Sequence, residues 1–207
     1  MILANIAVTV EPAFEPVSLS QVWNHLRLTP EGSPASTSLD TQLAKDIKAA
    51  RLTVEHSARI SLVERTLRLS VDSFPETGKG ITIFRPPLIY VLSVEYYDAD
   101  NVLQTVAASN WYVTDEDVPR LMFVASFSSP TTYARPDAVR VVYKSGYAGV
   151  GSPPSTQEDA AASVPADLKN AVLLAVEVLQ GNTSPADRDA LNNAIEAICR
   201  WYRVQIL

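Results

Sequence analysis

Two histidines, one cysteine and two acidic clusters are the side chains in this 207-residue chain whose types could carry a reaction or hold a metal. His25 follows Trp23 on a short amphipathic segment, and His56 lies near the end of a longer one. Neither has a second His or Cys at ligand spacing. Glu55 and His56 have the types of an acid–base pair, but adjacent residues of a helix point apart. Cys199 stands alone, which excludes a disulfide framework and a thiolate zinc site, and it reads as a small buried helix residue. Asp98 and Asp100, followed by Asn101, start like a calcium loop, yet the later Gly and bidentate Glu are absent. Asp115, Glu116 and Asp117 form a second acidic run, and both runs read as hairpin turns. The seven glycines are scattered, and there is neither a phosphate loop nor a G-x-S-x-G elbow. The chain therefore reads as a non-enzyme without metal or cofactor; a metal-dependent hydrolase using Asp115–Asp117 is the alternative from that class.

Composition bounds the rest. Hydrophobic residues make up 47% and charged residues 19%, enough for a packed core and unlike a disordered chain. The apolar runs fall short of the roughly 18 to 20 residues that cross a membrane, and no signal segment opens the chain, so synthesis in the cytoplasm is expected. A net charge of −6 argues against tight nucleic-acid binding, which needs clustered Lys and Arg. It leaves room for a wall past which DNA slides.

The elements that must position any surface follow from periodicity. Residues 1–62 read as a helical part. A short helix over Gln21–Leu28 is capped by Ser18 or Ser20, and a longer one starts near Ser38. Leu39, Leu43, Ile47, Ala50 and Val54 share one face of the longer helix, with Lys45, Lys48, Arg51 and Glu55 mostly away from it. From Val63 to Tyr147 the period becomes two. Strands are expected at Val63–Val71, with Arg65 as the exception to the alternation, and at Ile81–Phe84, Leu88–Tyr97, Val102–Val106, Trp111–Thr114, Arg120–Val124 and Ala138–Lys144. Residues 148–163 read as a flexible loop. Residues 164–207 hold a helix from Pro165 to a stop at Gly181, apolar around nearly its whole circumference, then a final helix from Ser184 with Leu191, Ala194, Ile195, Ile198 and Tyr202 on one face. The fold class is α+β: a small helical bundle of the N- and C-terminal regions with an inserted antiparallel sheet or sandwich.

Several stretches, in order, carry a resemblance. Pro12-Ala-Phe-Glu-Pro-Val-Ser-Leu-Ser20, followed by Trp23-Asn-His-Leu-Arg27, is similar to a "P-x-x-E-P-V-S/T-L … H-L-R" opening. Leu67–Pro75 resembles a first strand with a Phe-Pro stop, and Phe84–Asp100 an "R-P-P-L-x-x-V-x-S-V-x-Y-x-D-x-D" hairpin. Ala134–Tyr147 resembles "R-P-x-A-V-x-V-x-F/Y-x-x-G-Y", Val164–Leu174 "V-P-x-x-I/L-K-x-A-I/V-L-L", and Tyr202-Arg203 a closing "Y-R". Together these resemble the head–tail connector (adaptor, or head-completion) proteins of tailed double-stranded-DNA phages. The chain departs from them at Pro30–Thr37, where an acidic loop is usual, and at the brief Asn182–Pro185 link.

The resemblance implies a homo-oligomeric ring of about a dozen copies under the portal vertex, at the neck of a virion. Such a ring extends the DNA channel, offers a platform to a stopper or tail-completion protein, and lets DNA pass without sequence-specific binding or a membrane. It directs the C-terminal segment to the portal protein, with Ile198, Trp201, Tyr202, Arg203, Val204, Ile206 and Leu207 as the expected contacts. Asp98, Asp100, Asp115, Glu116 and Asp117 would then sit in channel or loop positions. The alternatives are another phage ring or tail-completion protein, or a monomeric binding module with its C-terminal segment packed in cis.

Overall fold

The computed structural model describes residues 5–28, 34–151, 154–181 and 183–203. The elements run β1 (Asn5–Val10), α1 (Leu19–His25), α2 (Pro34–Ala58), β2 (Arg65–Val71), β3 (Ile81–Thr82), β4 (Leu88–Tyr97), β5 (Leu103–Thr105), β6 (Trp111–Val113), β7 (Arg120–Phe123), β8 (Val139–Ser145), α3 (Gln157–Ala161), α4 (Ala166–Gln180) and α5 (Pro185–Tyr202). They form two compact units. One holds the described residues up to Pro12 and Arg65–Gly146; the other holds Ala13–Glu64 and the described residues from Tyr147 on. The architecture is α+β, with a helical bundle drawn from both ends of the chain and an antiparallel strand unit.

In the strand unit, a five-stranded antiparallel sheet runs β1-β2-β8-β4-β5 and a three-stranded sheet runs β3-β7-β6. The two-residue period explains the pairing. Leu67, Leu69 and Val71 of β2 and Val139, Val141 and Tyr143 of β8 turn inward opposite one another. They share one core with Ile81, Ile83, Val94 and Leu121, so both sheets close on the same apolar layer. Arg65 is not an exception to the alternation: it points inward with Leu67 and is buried. Phe74 fastens the edge of this core, its ring 5.4 Å from Phe123 and 5.6 Å from Phe127.

Residues 5–10, counted with the helical part on periodicity, form an edge strand instead. Asn5–Val8 pair in register with Ser70–Leu67, and a bulge follows before Val10. Val8 and Val10 are exposed, so the alternation that betrays a half-buried strand is weak there.

In the helical unit, Ser18 caps α1 in a full capping box: its hydroxyl accepts from Gln21 N–H, and the Gln21 side chain accepts from Ser18 N–H at 2.8 Å. α2 begins at Pro34, earlier than Ser38, and buries Leu43, Ile47, Ala50 and Val54 as its period requires. Arg51 and Glu55 depart from expectation. Both are buried, with Arg51 Nη1 donating to Glu55 at 3.0 Å and Nε donating to Glu15 at 2.6 Å. The other Glu55 oxygen accepts Leu62 N–H at 2.8 Å, tying the turn after α2 to the helix. The segment 148–163 is not all loop: Thr156 caps α3, and the Gln157 side-chain amide donates to the Glu15 carbonyl.

α4 buries Leu168, Ala171, Val172, Ala175 and Val176 against the core of the bundle. It is not covered all round, since Leu173, Leu174 and Val178 are only half-buried and Leu179 is exposed. Gly181 takes φ 71° and ends the helix in the left-handed region that glycine occupies without a Cβ clash. Ser184 accepts from Asp187 N–H and starts α5, with Pro185 in its first turn. No helix among the described residues is long and apolar enough to cross a membrane.

Candidate assembly surface

α5 decides which residues of the C-terminal segment are used inside the fold and which face outward. Ile195 and Cys199 sit one turn apart and are buried, and Ile198 packs half-buried beside them. Burial raises the Cys199 thiol above the ordinary thiol range, so this cysteine is held as an uncharged core group. Tyr202 closes the same stripe. Its hydroxyl donates to Asp167 in the first turn of α4, with 2.8 and 2.7 Å to the two carboxylate oxygens, so α4 and α5 lie antiparallel. Burial, reinforced by that carboxylate, pushes the Tyr202 phenol up to about 12.

Arg203 is likewise engaged at home. Its Nε donates to the Ser57 carbonyl at 2.9 Å and its Nη2 to Glu196 at 2.6 Å. Ser57 adds a hydroxyl hydrogen bond to the same glutamate, and these two contacts, Ser57 first, lower the Glu196 carboxyl below its usual range. The end of α2 and the end of α5 are thereby joined by a partly buried polar cluster. Beside it an open cleft of about 720 Å³ is lined by Leu52, His56, Arg59 and Arg203.

Trp201 stands apart from this pattern. It lies between the inward positions Cys199 and Tyr202 and is 90% exposed. Of the C-terminal residues expected to meet a partner, Ile198, Tyr202 and Arg203 are engaged within the helical unit and Trp201 projects away from it. Val204, Ile206 and Leu207 lie outside the described residues.

The acidic residues divide in the same way. Asp98 builds its own turn: its carboxylate accepts from Asp100 N–H, Val102 N–H and the Gln104 side chain at 3.1, 2.9 and 2.8 Å. These bonds, that from Val102 foremost, lower its pKa, and they hold Asn101 at φ 61°. Asp100, Asp115, Glu116 and Asp117 are exposed at the tips of the β4–β5 and β6–β7 connections.

A cluster that sequence reading missed lies beside the first of these tips. Asp137 bridges Arg135 (2.6 Å) and Arg140 (2.5 Å), and both guanidinium groups lie over the Tyr97 ring at 3.7 and 4.6 Å. The hydrogen bonds from Arg135 and then Arg140 hold the Asp137 carboxyl at about 2. The Arg-Pro-Asp run was visible in the sequence; its stacking on a ring 38 positions away was not.

His25 sits at the end of α1 with Nε2 3.0 Å from Glu177 of α4, and His56 is exposed on α2. Among the described residues, no group of three or more His, Cys, Asp or Glu side chains converges as a metal cage would require.

No protein-family model matches the chain. No curated protein sequence matches it either. Solved structures do match its fold. A chain from the virion of a native gene transfer agent particle aligns at TM-score 0.70 and 21% identity, covering 98% of this chain and 97% of that one. A chain from the neck of an empty gene transfer agent particle, computed with C6 symmetry, aligns at TM-score 0.75 and 20% identity with the same coverage. A chain from the neck of the native particle, computed with C12 symmetry, aligns at TM-score 0.65 and 21% identity over 99% of this chain and 97% of that one. Both units of the fold are thus shared with chains of such particles.

Proposed function

We propose that this chain is a structural subunit of the neck of a phage-like virion, acting as a head–tail adaptor. The observation that carries the reading is the end-to-end match of its fold to chains of gene transfer agent necks. The connector-like motifs, spread from Pro12 to Arg203, support it from an independent direction. The copies form a ring under the portal, extend the DNA channel, and present a platform to a stopper or tail-completion protein. This work is geometric. It needs subunit shape, two complementary faces per subunit for cyclic closure, and an anchor to the portal.

The anchor we assign to the portal is the tail that follows Arg203, carrying Val204, Ile206 and Leu207. Tyr202 and Arg203 are engaged with Asp167, Ser57 and Glu196, so they hold the end of α5 in place. The test is a chain ended after Arg203, mixed with the portal protein and imaged. It should keep the helical content and unfolding midpoint of the full chain and lose the portal complex. Full portal binding by the shortened chain would exclude the tail as the anchor. A full-length chain that neither forms rings nor joins a portal would exclude the adaptor reading.

A further inference from the structure

We draw no further inference here: the strongest candidate, the outer edge of β1 at the rim of the five-stranded sheet, unpaired among the described residues and carrying exposed Val8 and Val10, is a surface that an extended strand would extend, but nothing in the structure shows what covers it.

Discussion

Arg51 is the side chain on which the helical unit most depends. Its guanidinium is 1% exposed and is held between Glu15, from the segment before α1, and Glu55, one turn further along α2. Glu55 is as deeply buried and also holds the Leu62 amide, so three chain segments meet at one ion network. Removing the cation takes the Arg51 partner away from a carboxylate buried in the core. Arg51→Ala should therefore cost about 3–5 kcal/mol, far above an ordinary surface charge change. Urea unfolding followed by far-ultraviolet circular dichroism checks it, because the loss falls on the helices. A cost below about 1 kcal/mol would mean that Glu15 and Glu55 find other partners. Periodicity alone misplaced this residue. The apolar face of α2 is legible in the spacing of Leu43, Ile47, Ala50 and Val54, but a buried charge looks like a solvated one until its partner is known. Glu15 lies 36 positions away, in a segment without regular structure.

At the scale of elements, two glycines separate steric from conformational demands. A Cβ on Gly80, just before β3, would stand 2.3 Å from the Met122 sulfur and 2.8 Å from the Leu121 carbonyl oxygen of β7. The sulfur ends a flexible chain and can move; the backbone oxygen cannot. Gly181 has open space around it but sits at φ 71°. Gly181→Ala should thus cost about 1 kcal/mol, the left-handed penalty alone. Gly80→Ala should cost more, about 1–3 kcal/mol, by pushing β3 off β7. Thermal unfolding of the two variants gives the order, and Gly80→Ala should be the one that alters near-ultraviolet signals from the aromatic strand unit. Of these elements, β2 and β8 were readable from their two-residue alternation, and β4, despite its two bulges, from its run of β-branched and aromatic residues. β1 was not, since an exposed edge strand broken by a bulge shows no clean alternation. α4 was over-read: an apolar circumference suggested complete burial, whereas Leu179 is exposed.

For the whole molecule, net charge and local contact pull association in opposite directions, and salt decides between them. Every copy carries −6, so any association of copies accumulates like charge, and the repulsion reaches from one copy to the next when ions are scarce. Exposed ion pairs between copies add only about 0–1 kcal/mol each, so apolar burial has to hold copies together. At about 10 mM salt the screening length is about 30 Å, comparable with the length of α5; at about 150 mM it shrinks to about 8 Å. Repulsion between neighbours then fades while apolar burial between them is unaffected. Self-association should accordingly strengthen as salt rises over that range, read by sedimentation velocity at fixed protein concentration. Weakening over the same range would mean that ion pairs dominate between copies, with exposed acidic groups such as Asp115, Glu116 and Asp117 the first to examine by charge reversal. Composition made the charge legible at once. The faces that meet were not, because a surface exists only after residues far apart in the chain, such as Asp167 and Tyr202, have been brought together.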